Sequence, residues 1–153
     1  MEYIKCLDDL LNIKRKGDYE LACDIDCKGK KVKCLVGDFS GKLYGNGHKI
    51  MNLMLSDEIW GDEQTLALFF TMSQAEIVDI AFEKISVVYD NMCYEPKVAV
   101  LAGRCSNSTI RNVSVLLETA PEFLPLMYEV NDCEIENVSL IKDGKQGQIA
   151  KYC

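Results

Sequence analysis

Few residues in this chain could do acid–base, nucleophilic or metal chemistry, and their spacing suits none of the three. A single histidine, His48, stands among 24 Asp and Glu and 8 Cys. Any Ser-His-Asp or Cys-His arrangement must therefore use His48 as its base, yet it sits in Gly45-Asn46-Gly47-His48, a turn sequence. Gly45 and Gly47 have the spacing of a phosphate-cradling loop. Such a loop needs a helix N-terminus behind it, and Ile50-Met51-Asn52-Leu53 has no helical pattern. Asp24 and Asp26 share one face of a strand and could ligate Ca²⁺ or act as a carboxylate pair, but no third ligand accompanies them. Cys23, Cys27 and Cys34 lack both a CxxC pair and a nearby His, so they make a poor zinc site. The expectation is a protein without catalytic residues, metal or cofactor.

With catalysis set aside, charge becomes the informative property. The 153-residue chain has a net charge of -7. Residues 1–50 carry a net +2, residues 51–141 a net -11 and residues 142–153 a net +2. Direct binding of nucleic acid is not expected, because phosphates require cationic groups opposite them. A protein with a basic surface, including one built to bind nucleic acid, is the expected partner. The candidate contact residues are Asp57, Glu58, Asp62, Glu63, Glu118, Glu122, Glu129, Asp132, Glu134 and Glu136. No apolar run reaches membrane-spanning length, and Met1 leads directly into a mixed-charge stretch with no secretory pattern. Cytoplasmic residence with free thiols is the expectation, and sequons at Asn107, Asn112 and Asn137 read as structural residues.

The elements that position these side chains follow from a repeat. Four segments share an Ile-x-(Asn/Asp)-aliphatic form, beginning at Ile50, Ile77, Ile110 and Ile135, at intervals of 27, 33 and 25 residues. Leu68, Leu101 and Leu126 each precede their Ile by nine residues. Met72, Cys105 and Val130 form an apolar column, and Ala75, Ser108 and Cys133 a small one. Within segments the alternation has period two, the mark of short strands, and repetition at this interval marks a stacked architecture. The expected fold is all-β: a short right-handed parallel β-helix of about four to five rungs, occupying residues 18–141 of a single domain. Its Asn/Asp column is expected to form an inward-facing hydrogen-bonded ladder.

Ile4, Leu7, Leu10 and Leu11 lie at helical spacing and predict an amphipathic helix over residues 2–14 that caps the first rung. Residues 142–153 read as a polar tail. The C-terminal edge is therefore expected to be open, and a homodimer through Val138, Leu140 and Ile149 follows.

Asp18-Tyr19-Glu20-Leu21, Asp24-Ile25-Asp26 and Phe39-Ser40-Gly41-Lys42-Leu43-Tyr44-Gly45-Asn46-Gly47-His48-Lys49-Ile50 resemble the entry turns of the pectin-lyase-like superfamily. The match is to GLUG-type repeats of bacterial surface proteins and IgA-protease-type metallopeptidases. It is specific over residues 4–55 and looser over 66–140. The resemblance implies the β-helical fold and, taken alone, an adhesin or carbohydrate-binding fragment, for which Trp60, Tyr89 and Tyr94 would be the stacking platforms. The residues themselves favour a non-catalytic interaction module, an acidic inhibitor or nucleic-acid mimic. In character it is similar to phage proteins directed against host defence, such as anti-CRISPR proteins.

Overall fold

The computed structural model describes residues 1–57, 65–89, 97–121 and 124–153. Strand accounts for 62% of the described residues and helix for almost none, so the fold is all-β. The order is β1 (Glu2–Ile4), α1 (Leu7–Leu11), β2 (Asp18–Leu21), β3 (Ile25–Val32), β4 (Val36–Phe39), β5 (Lys42–Tyr44) and β6 (Lys49–Ser56). There follow β7 (Thr65–Leu66), β8 (Phe69–Ser73), β9 (Glu76–Val88), β10 (Lys97–Val98), β11 (Ala102–Ser106) and β12 (Thr109–Leu117). The chain closes with β13 (Met127–Asn131), β14 (Glu134–Lys142), β15 (Lys145–Gln146) and β16 (Ala150–Tyr152).

Nearly every strand pairs in parallel with the equivalent strand of another repeat. One sheet runs β4-β8-β11-β13-β16, and a larger one carries β1-β2-β5-β9-β12-β14-β15 with β3 and β6 joined at its side. The only antiparallel pair among the described strands is β14–β15. Side chains repeat in columns because the register repeats. Phe39, Met72, Cys105 and Val130 are successive partners, and Leu68 through Leu126 are linked by backbone bonds from Phe69 N–H to Leu101 O and from Leu101 N–H to Leu126 O. These columns build a core in which Phe39, Phe69 and Phe82 are fully buried, with Phe39 stacked on Phe69 at 4.9 Å between ring centroids.

A left-handed residue turns the chain between strand arms. Asp79, Asn112 and Asn137 all have φ between 52° and 57°. The pattern around each is Ile inward, two residues outward, aliphatic inward, which bends the strand while keeping both arms packed. Asn and Asp tolerate this backbone because their short polar side chains bond locally. Asn137 Nδ2 donates to Asn112 Oδ1 at 2.9 Å, and Asn112 Nδ2 to Asp79 Oδ1 at 2.8 Å. The ladder therefore forms, but on the outside: all three residues are exposed, which corrects the expected inward orientation. A second left-handed column, Gln74, Asn107 and Asp132, lies three residues before each Ile.

The first repeat differs from its sequence alignment. Ile77 pairs with Leu43 and Ile110, whereas Ile50 pairs with Ile25 and Phe82. The Ile50 segment thus belongs to a different column, one arm further along. It looks alike because it too has a left-handed corner, at Asn52 (φ 61°), where Asn52 Nδ2 donates to Asp26 Oδ1 at 2.9 Å.

Both ends also depart from expectation. The helix spans Leu7–Leu11 and not residues 2–14, because Glu2–Ile4 pair with Tyr19–Leu21 as a parallel strand. The free edge of β2 offers backbone hydrogen bonds that outweigh weak helical propensity. Ile4 and Leu10 are buried all the same, so the apolar set covers the first level from two elements. The polar tail is structured: Lys145–Gln146 fold back on β14, and Ala150–Tyr152 add a fifth strand beside β13. Gly147 N–H bonds Leu140 O at 2.6 Å, and Leu140 is only 1% exposed. Leu140 is therefore not at an exposed edge, while Val138 and Ile149 are half-buried.

Candidate functional site

His48, Asp24, Asp26, Cys27 and the two loop glycines each have a structural assignment. His48 Nδ1 lies 3.3 Å from Asp24 Oδ1, which also accepts from Lys49 N–H at 3.1 Å. Among the described residues no hydroxyl or thiol hydrogen-bonds the ring. The Gly45–His48 loop directs its amides at the next repeat: Gly45 N–H donates to Val78 O at 2.8 Å and Gly47 N–H to Asp79 O at 2.9 Å. A Cβ on Gly45 would lie 2.3 Å from Asp79 O. Gly45 serves close backbone approach and Gly47 a left-handed turn at φ 81°, and both amides are already bonded. Asp26 accepts from Asn52 and from Lys28 N–H, and these two bonds hold its carboxyl below the usual range. Burial pushes the Cys27 thiol up to about 11, so it is a core thiol and a poor ligand or nucleophile at neutral pH. Among the described residues no three His, Cys, Asp or Glu side chains converge to hold a metal ion. No described helix is long and apolar enough to cross a membrane.

The acidic candidates separate into distinct environments. Glu58, Asp62, Glu63 and Glu122 lie outside the described residues, as do Trp60 and Tyr94. Asp57 is half-buried at the end of β6, and Tyr89 is partly buried against the core. Glu118 is exposed just past β12. Glu129 is clasped by Lys97 Nζ at 3.3 Å and Arg104 Nε at 3.2 Å. Desolvation works to raise its pKa, but these two cations outweigh it and lower the carboxyl below its ordinary value. Its charge is thus compensated within the chain.

Asp132, Glu134 and Glu136 remain together, and the fold explains their arrangement. Asp132 occupies the left-handed corner (φ 54°) that leads from β13 into β14. Glu134 and Glu136 alternate with Ile135 along β14, so their side chains point to one face about 6.5 Å apart. All three are exposed. Arg111, the register partner of Glu136, approaches it at 3.6 Å. Asp132 and Glu134 make no ion pair among the described residues.

Among the described residues the same stretch of β14 has a pairing partner on one side only, β12, until Ile141 and Lys142 meet β15. Its inward residue shows the consequence. Ile77 and Ile110 are 0% exposed, but Ile135 in the same column is 38% exposed. Carboxylates, an unpaired strand edge and an accessible apolar side chain thus coincide over Asp132–Val138. The sequence flagged the acids and an open C-terminal edge separately, through Val138, but not that the two coincide around Ile135. It also missed an aromatic and cationic cluster on the other sheet, where Tyr128 and Tyr152 meet edge-to-face at 5.4 Å with Lys151 Nζ 5.2 Å from the Tyr128 ring. Compared with protein families, curated proteins and solved structures, the chain has no match in any of the three.

Proposed function

We propose that this protein is a non-catalytic interaction module, and that Asp132–Val138 is its docking edge for a basic protein surface. The observation that carries this reading is the coincidence of three exposed carboxylates with an unpaired strand edge around a 38% exposed Ile135. An extended basic segment can add to such an edge, with backbone bonds supplying affinity and alternate side chains supplying selectivity. Lys or Arg side chains of the partner meet Asp132 and Glu134, and an apolar side chain covers Ile135. A partner that normally holds nucleic acid presents this basic chemistry, and the module acts there as an inhibitor or mimic.

The architecture belongs to the same reading. Repeated parallel pairing at 25 to 33 residues, seen from Ile77 to Ile135 in the register of β9, β12 and β14, supports a short parallel β-helix. The right hand follows from the general preference of parallel crossover connections. Relationship to pectin-lyase-like proteins remains a proposal resting on the Asp18–Ile50 motif. Arg111 and the carboxylates form a rigid outer row, which suits recognition of a preformed surface.

The test uses a fluorescent peptide of alternating Lys and apolar residues, titrated with the full chain over a salt series. Binding should weaken as added salt shortens the Debye length toward about 8 Å, and D132K/E134K should abolish it. Affinity unaffected by both salt and charge reversal would overturn the reading.

A further inference from the structure

Cys133 stands between Asp132 and Glu134, and its surroundings point to chemistry of its own. It follows Ser108 in the small-residue column. Each side chain reaches back to the carbonyl two residues before it: Ser108 Oγ to Ser106 O at 2.9 Å, Cys133 Sγ to Asn131 O at 3.4 Å. Cys133 differs in having a second sulfur beside it. Cys105 Sγ, 28 residues earlier and one level away, lies 3.3 Å from Cys133 Sγ. The parallel ladder that pairs Cys105 with Val130 fixes this proximity. Sulfur atoms in a disulfide are about 2.0 Å apart, so closure needs a movement of roughly 1.3 Å.

The two thiols differ in access. Cys105 is 0% exposed, and Cys133 is half-buried at the surface. A reagent from solvent therefore meets Cys133 first. Desolvation, reinforced by Cys133, pushes the Cys105 thiol up from its usual range, so the buried Cys105 is slow toward a reagent from solvent and reacts only where the sulfur it attacks is held beside it, 3.3 Å away on Cys133.

We propose that Cys105 and Cys133 form a dithiol modification site that takes a small neutral or cationic disulfide and closes into a bond between two levels of the fold. The Cys133 thiolate attacks one sulfur of the reagent. The reagent's S–S bond breaks, a mixed disulfide forms on Cys133, and the departing thiolate takes up the proton that Cys133 lost. Cys105 then attacks Cys133 Sγ, and the second reagent thiolate leaves with the Cys105 proton. Two protein thiols are oxidised by two electrons, and the reagent is reduced to two thiols. Asp132 and Glu134 disfavour an anionic reagent by Coulomb repulsion, which sets the charge class.

This inference is independent of partner binding. In the test, the reduced full chain is treated with cystamine, its remaining thiols are trapped with a maleimide, and its peptides are mapped by mass spectrometry. The expected product is a Cys105–Cys133 cross-link that dithiothreitol reverses. At low ionic strength it should form roughly tenfold faster with cystamine than with anionic oxidised glutathione, and the gap should narrow with salt. C133S, which copies the natural Ser108, should give no product at Cys105. A lasting cystamine adduct on Cys133 with Cys105 still free would overturn the proposal. So would cross-links of either residue to other cysteines. Equal rates with both reagents would overturn the charge class.

Discussion

At the corners of the chain, backbone conformation and hydrogen bonding can be separated by mutation. Asn112 has φ 53° and bonds Asp79 and Asn137. N112G keeps a residue content with that backbone and loses only side-chain bonds, whose net worth on an exposed face is about 1 kcal/mol or less. N112A loses the same bonds and adds a left-handed Cβ penalty of about 1–2 kcal/mol. Urea unfolding should therefore rank the alanine variant clearly below the glycine variant; equal costs would mean that the hydrogen bonds alone matter. A second test at this scale is electrostatic. The Asn52 amide, followed by Lys28 N–H, holds Asp26 below its ordinary pKa. A carboxylate depressed in the folded state contributes stability above its unfolded pKa and loses it as pH falls through the folded value. The Tm difference between wild type and D26N should thus shrink between about pH 5 and 2, and N52A should flatten that window. Residue types foretold the corners, since Asn or Asp recurs at 79, 112 and 137. They could not foretell the outward direction, because alternation breaks at a left-handed residue and two successive side chains then point to solvent.

Among the elements, β9, β12 and β14 share one column whose cover differs along the stack. Ile110 is 0% exposed and Ile135 38% exposed. I110A should cost about 2–5 kcal/mol, as a filled core site does, and I135A about 1 kcal/mol, because solvent already reaches that side chain. Similar costs would mean that Ile135 is covered in solution. The constant nine-residue offset from Leu68, Leu101 and Leu126 to their Ile positions made these three levels legible, because no long insertion separates lead-in strand from corner. The first level was misaligned for the opposite reason. Ile50-Met51-Asn52 repeats the local chemistry of a corner but stands in another column, and strand alternation is identical in every column. The opening strand was hidden because Ile4, Leu7 and Leu10 satisfy helical spacing, although the pairing of Ile4 with Leu21 is a tertiary choice.

Across the whole molecule the two ends are finished differently, and this governs both stability and the proposed docking edge. At the start, β1, α1 and the turn after it lay Ile4, Leu10 and Ile13 over the first level, all buried. At the finish, ten or so residues do less: β16 extends the five-stranded sheet beside β13, and the β15 turn sets Gly147 over Leu140, leaving the outer side of β14 before Ile141 without a strand partner among the described residues. The tail's signal was present in Ile149-Ala150, which continues the Leu101-Ala102 and Leu126-Met127 pairs, but Lys, Gly and Gln around it mask two apolar residues. Glu134 and Glu136 on the open edge oppose self-pairing, since like charges would face each other across two copies. A chain ended after Lys142 separates these contributions. It should uncover Leu140 and the Met127 strand, lower the Tm by about 5 °C or more, and associate with increasing concentration in light scattering. Restoring the tail as a fusion should reverse both effects. E134Q/E136Q in the full chain should promote association without the loss of Tm, because it removes the repulsion and leaves the covering turn in place. Unchanged mass for both variants would show that neither the tail nor the edge charges keep copies of this chain apart.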